Sequence, residues 1–131
     1  MVICIYTDGS CLKNPGGASG WSFCVLEQPI VWLVSGGAEK STNNRMELTA
    51  VIEALEWVTG DEYNIYTDSL LTLKCATNQW KRKANKDLWE KYDRVSNGRK
   101  LHWKWVKSHS GNKYNELVDR AARNEAKKFK K

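Results

Sequence analysis

Four carboxylates and one histidine stand out by residue type and placement. Ile5-Tyr6-Thr7-Asp8 recurs as Ile65-Tyr66-Thr67-Asp68, each copy closing a short apolar run with an aspartate before a turn or helix start. Such an aspartate also serves as an ordinary cap. If the two runs are parallel neighbours, however, Asp8 and Asp68 lie side by side at the C-terminal edge of a sheet, where open α/β sheets carry their sites. Glu47 is the third acid. At about 100° per residue, a helix from Arg45 to Val58 gathers Thr49, Glu53 and Glu56 on one face and sets Glu47 among Val51, Ala54 and Val58.

A carboxylate on the core side of a helix is costly unless a cation or donor meets it, and Arg45 does not share that face. Beside Asp8 and Asp68, Glu47 crowds like charges together, which raises their pKa values or demands a metal. Ligands that are all oxygen favour Mg²⁺ or Mn²⁺ over zinc. Asp119 borders the Val118, Ala121 and Ala122 stripe early in the final helix, either as a partner of the helix dipole or as a fourth member. His109 stands in a loop, Ser108 to Gly111, either merely exposed or positioned to shuttle protons near the acids.

These residues need elements to hold them. The pattern predicts strands over 2–8, 20–27, 30–36, 63–68 and 101–106. It predicts helices from Asn43 or Asn44, as cap, to about Val58, from Ser69 to about Ala76, over 87–95, and from Asn115 to about Lys127. Leu101, Trp103 and Trp105 share one face of the last strand, and most tryptophans read as core. The fold class is α/β: a five-stranded mixed sheet flanked by helices, in one domain over residues 1–131.

Composition bounds the function classes. The chain has 131 residues, 41% hydrophobic and 27% charged, with a net charge of +6. Residues 1–73 hold three basic and nine acidic residues, whereas 74–107 hold eleven and three. That asymmetry fits a polyanion partner, and on charge alone it also fits a solvated surface. No apolar run approaches the roughly 20 residues needed to cross a bilayer. The N-terminus lacks a signal peptide's basic and apolar regions, so the expected address is cytoplasmic, with no membrane partner. Cys4, Cys11, Cys24 and Cys75 contain no CxxC pair and read as reduced, mostly buried thiols. No coiled-coil heptad appears, so a monomer is expected.

The blocks Tyr6-Thr7-Asp8-Gly9-Ser10, Asn14-Pro15-Gly16, Thr42-Asn43-Asn44-Arg45-Met46-Glu47-Leu48, Thr67-Asp68-Ser69, Trp105 to Gly111 and Asn115 to Asp119 resemble, in this order, the type 1 ribonuclease H family. The resemblance covers nearly the whole chain and implies a ribonuclease H-like fold. It further implies endonucleolytic hydrolysis of the RNA strand of an RNA–DNA hybrid, leaving 5′-phosphate and 3′-hydroxyl ends. It implies two Mg²⁺ ions, with Mn²⁺ as a possible substitute, on Asp8, Glu47, Asp68 and Asp119, with His109 assisting proton transfer or product release.

By the same resemblance Cys11, Asn14, Thr42, Asn43, Asn44, Ser69, Trp80, Lys81, Arg82 and Lys83 contact nucleic acid. The asparagines would read 2′-hydroxyls across the minor groove, and the Trp80 to Lys83 segment would face the DNA strand. Leu70 stands where many members carry glutamine, Ser108 where glycine is common, and the basic protrusion after Trp80 is shortened. The first strand begins at Val2, so no separate N-terminal hybrid-binding module is expected, and with no polymerase and a start at Met1 the chain reads as stand-alone. A domain like those attached to reverse transcriptases, a related nuclease acting on another nucleic acid, and a catalytically silent hybrid-binding module are the competing readings.

Overall fold

The computed structural model describes residues 2–130. Its strands are β1 (Ile3–Cys11), β2 (Ser19–Glu27), β3 (Ile30–Ala38), β4 (Glu62–Thr67) and β5 (Lys100–Trp105). Its helices are α1 (Asn43–Trp57), α2 (Leu70–Ala76), α3 (Lys86–Ser96) and α4 (Lys113–Lys128). The sheet runs β3-β2-β1-β4-β5. β1–β2 and β2–β3 are antiparallel, whereas β1–β4 and β4–β5 are parallel. Five mixed strands with helices on both faces match the expected architecture.

The internal repeat is a register. Ile5 pairs with Ile65 and Tyr6 with Tyr66 across the β1–β4 ladder, and the two tyrosine rings stack at 4.5 Å. Equal residues at equal heights bring Asp8 and Asp68 out at the same level. β1 then continues past Asp8, because β2 goes on pairing with it as far as Cys11 opposite Ser19.

Apolar residues sort to the two faces. Ile5, Phe23, Val25 and Ile65 pack under α1 and α3 with Leu48, Val51, Leu55 and Trp89. Tyr6, Cys24 and Val118 form the second cluster beneath α4. Two glycines set how closely helix meets strand. A Cβ at Gly9 would lie 2.3 Å from the backbone nitrogen of Glu47, and one at Gly20 would lie 2.1 Å from the carbonyl of Ala122. Arg99 closes α1 by donating from Nη2 to the Val58 carbonyl at 2.8 Å.

Several local expectations change. Thr42, not Asn43 or Asn44, caps α1, its hydroxyl accepting from the Arg45 N–H at 3.2 Å. Asn112, not Asn115, caps α4, accepting from the Asn115 N–H at 2.9 Å. In both cases the chain offered several Asx or Thr candidates within four residues, and the earlier one has the extended backbone that a cap requires. The tryptophans are not mostly core: Trp89 is buried, but Trp32, Trp57, Trp80 and Trp105 are 42–51% exposed. On β5, Leu101 and Trp103 pack against the core, Trp103 beside Tyr92 of α3, whereas Trp105 is exposed. All four cysteines are free; Cys24 and Cys75 are buried, and Cys4 and Cys11 are half-buried.

Candidate metal centre and nucleic-acid face

Asp8, Glu47 and Asp68 converge where β1, α1 and β4 meet, with one carboxylate oxygen from each lying within 4.8 Å of the others. Asp8 is 3% exposed on the central strand, and Glu47 is 9% exposed. The close approach at Gly9 is what delivers Glu47, since it lets the first turn of α1 ride against the backbone of β1. The Gly9 N–H also donates to Asp8 Oδ1 at 2.9 Å.

Burial pushes the Asp8 carboxyl up to about 8, assisted by the charges of Asp68 and Asp119 and opposed by hydrogen bonding from Glu47 and Gly9. Burial, then the neighbouring Asp8, holds Glu47 well above the usual carboxylate range. Asp68 is raised by burial too, while an Asn115 hydrogen bond pulls it back. Glu47 Oε2 is buried with no hydrogen-bond partner. A divalent cation fits this set. It supplies the missing partner of Glu47, offsets the mutual repulsion, and finds only hard oxygen donors, as Mg²⁺ and Mn²⁺ prefer.

Asp119 is nearby but outside the converged group. Its carboxylate pairs with Arg123 one turn along α4, while remaining close enough to raise both Asp8 and Asp68. His109 sits in the exposed 108–111 loop with left-handed backbone (φ 55°), and it lines an open cleft with Glu116, Asp119, Arg120 and Arg123. Its charge lowers Asp68.

Two residues at this edge escaped the sequence reading. Asn115, 2% exposed, donates from Nδ2 to Asp68 Oδ2 at 3.4 Å, and Trp105 donates its indole N–H to the Asp68 carbonyl at 3.3 Å. The signal for Asn115 was available: an amide one turn before Asp119 lies on the same side of α4.

The remaining candidate residues fall into two groups. Asn14 Oδ1 accepts from the Asn43 N–H at 3.1 Å, tying the β1–β2 loop to the start of α1. Among the described residues neither the Asn43 nor the Asn44 side chain is held by a hydrogen bond, because Thr42 does the capping. The Cys11 thiol turns inward onto the carbonyls of Lys13, Ser41 and Gly17 at 3.3–3.7 Å. Ser69 caps α2, accepting from the Thr72 N–H at 3.2 Å.

Trp80, Lys81 and Lys83 are exposed on the 77–85 connection between α2 and α3. Arg82 parts from them. Its guanidinium lies 4.4 Å over the Trp89 ring, pairs with Asp93 at 2.9 Å and donates to the Cys75 carbonyl at 3.0 Å. At the other end Asn85, left-handed at φ 58°, accepts from Arg45, whose two Nη atoms grip Asp87 at 3.0 and 2.7 Å.

The chain matches the family model for RNase H over residues 1–127. A curated ribonuclease H from Wolbachia sp. subsp. Drosophila simulans is 42% identical, with 92% of each chain covered. One from Neorickettsia sennetsu is 40% identical over 95% of this chain and 93% of its own. Among solved structures, the N-terminal RNase H domain of a Mycobacterium tuberculosis protein superposes with a TM-score of 0.86 at 22% identity, covering 97% of this chain and 94% of that one. LC11-RNase H1, solved in complex with an RNA/DNA hybrid, gives 0.77 at 25% identity over 93% and 97%.

Proposed function

The chain belongs to the RNase H family, and we propose from that premise that it cuts the RNA strand of an RNA–DNA hybrid internally, leaving 5′-phosphate and 3′-hydroxyl ends. The observation that carries this reading is the buried acidic triad with its unpartnered Glu47 oxygen. Asp8, Glu47 and Asp68 would hold two Mg²⁺ ions, or Mn²⁺ in their place. Asp8 would hold them from the central strand. When bound, the ions supply the Lewis acidity that activates water and stabilises the leaving oxygen.

The chain's own residues do the rest. Asn115 orients Asp68 through Oδ2. Asp119, paired with Arg123 in this structure, would be the fourth ligand. His109 takes up a proton at a ring nitrogen and passes it to solvent from its exposed loop. Asn14, Asn43 and Asn44 read 2′-hydroxyls, since a carboxamide both donates and accepts. Cys11 contributes through its backbone, and Thr42 and Ser69 through helix starts that favour phosphate. Every assigned residue comes from a single copy of the chain. The free thiols and a nucleic-acid substrate support a cytoplasmic address; among the described residues no helix is long and apolar enough to cross a membrane.

The deciding assay follows end-labelled RNA in hybrid with Mg²⁺ or Mn²⁺. Parallel lanes hold EDTA, single-stranded RNA, double-stranded RNA, DNA duplex and the Asp68→Asn variant. Internal cuts confined to the hybrid, dependent on metal and absent in the variant, are expected. Binding without cleavage under either metal overturns the enzyme reading.

The basic connection makes a separate prediction. Lys81→Ala and Lys83→Ala each lower the salt dependence of hybrid binding, by up to about one unit in the log–log slope. Arg82→Ala leaves that slope unchanged but costs about 2 kcal/mol of stability, because its cation is engaged with Trp89 and Asp93. Titrations at several salt concentrations and thermal melts separate the two effects. A slope loss for Arg82→Ala equal to that of the lysines sinks the assignment.

A further inference from the structure

β3 is an outer strand of the sheet, and nothing in its sequence guards it. Ile30, Val31, Trp32 and Leu33 follow one another at 40–50% exposure. From Ile30 to Ala38 there is no charged residue and no proline, the usual devices that keep open strand edges apart. Alternate N–H and C=O groups of such a strand point away from its one neighbour.

Both faces are bare at this end. Ile30 and Trp32 lie on the α1 side, where Trp32 meets only the end of the helix, through Trp57 at 5.6 Å between ring centroids. Val31 and Leu33 lie on the α4 side. That helix touches β3 further along, where Glu125 accepts from Ser35 at 3.0 Å and Phe129 lies against Gly37.

We propose that a second copy of this chain docks here. Two chains related by a twofold axis through Trp32 join β3 to β3 in antiparallel fashion, extending the sheet across both molecules. This register pairs Trp32 with Trp32, Val31 with Leu33 and Ile30 with Val34, so each apolar side chain meets another on the same face of the sheet. The seam carries no charge, and the net +6 of each chain creates no like-charge contact within it. A free peptide would have to present apolar residues on both faces; the strand itself already does.

The area is sufficient for a weak dimer. With about 250 Å² for a tryptophan side chain, the exposed parts of Trp32 and Trp57 leave roughly 200 Å² per copy. Ile30, Val31 and Leu33 add about as much again. Even with all of it covered, the two copies' side chains would contribute about 800 Å² before the strand edges are added, the low end of the interface range, so the dimer is a weak one. β2 separates β3 from the carboxylates on β1, so docking leaves the metal site open. The monomer expected from the sequence would then be the dilute form.

Sedimentation equilibrium from about 1 μM to about 1 mM, the range of weak specific complexes, tests this. The parent chain is expected to dimerise within that range. Leu33→Lys and Val31→Lys are expected to stay monomeric, with unchanged circular dichroism, melting temperature and hybrid cleavage. Under mild oxidation Trp32→Cys should give a disulfide-linked dimer faster than Ser35→Cys, because only position 32 faces itself across the axis. A parent chain monomeric throughout overturns the proposal. So does a dimer that survives both lysine variants, or one whose Trp32→Cys form crosslinks no faster than Ser35→Cys.

Discussion

Replacing Asp8 by asparagine is expected to abolish hybrid cleavage while making the metal-free protein more stable at alkaline pH. Loss of activity should reach about 10³-fold or more, the scale seen when one member of a group that acts as a unit is removed. The stability gain follows from proton linkage. The Asp8 carboxyl moves from 3.8 in the open chain to about 8 in the fold, chiefly through burial. Between those values the folded state binds the extra proton, so stability falls as pH rises, by up to about 1.4 kcal/mol per unit for one proton. It is fully present below about pH 4 and lost above about pH 8.

Asparagine has no proton to lose and removes that limb. Thermal melts in EDTA at about pH 5 and about pH 9 check this. The parent should drop more steeply than Asp8→Asn between the two. Identical slopes would mean that Asp8 is not held protonated. Added Mn²⁺ should rescue the parent at high pH and release protons as it binds, and should do less for the variant.

Gly9→Ala is expected to damage fold and activity together. Its methyl would sit 2.3 Å from the Glu47 nitrogen and 2.4 Å from the Met46 carbonyl carbon, and both are backbone atoms that cannot rotate away. β1 and α1 must part by about an ångström, costing on the order of 3 kcal/mol and roughly 10 °C in melting temperature. The same displacement carries Glu47 from Asp8, and an error of that size in a catalytic constellation costs about 10²-fold. Cleavage assayed well below the melting temperature separates the two losses. Full activity there, with only the melt lowered, would show that the carboxylates tolerate the shift.

The helical wheel alone placed Glu47 against the core, and a repeat of four residues placed Asp8 and Asp68 abreast. Both inferences rest on periodicity, which survives in the fold because it describes backbone geometry. What stayed hidden depended on choices among near-equal neighbours. Thr42 outcompeted Asn43 and Asn44 as a cap, and Asn112 outcompeted Asn115, so Asn115 was free to turn to Asp68. Arg82 looks like Lys81 and Lys83 in a string of letters. Only the fold shows its guanidinium lying over the ring of Trp89. Trp105 reads as core by alternation, yet it is exposed and its indole N–H bonds the Asp68 carbonyl, a contact that alternation does not encode.

The connection from 77 to 85 is pinned near both ends, by the Gln79 and Trp80 N–H groups on the Lys74 carbonyl and by Asn85 on Arg45, while Arg82 ties its middle to Asp93 and the Cys75 carbonyl. A backbone held at these points has little freedom left to surrender when a polyanion arrives, so ordering Lys81 and Lys83 costs only about 0.5–1.5 kcal/mol per side chain. A long mobile arm would bring more charge and lose more motion on landing. With Lys81 and Lys83 as its two argued cations, this connection should release few counterions, and its own share of the salt dependence should be small.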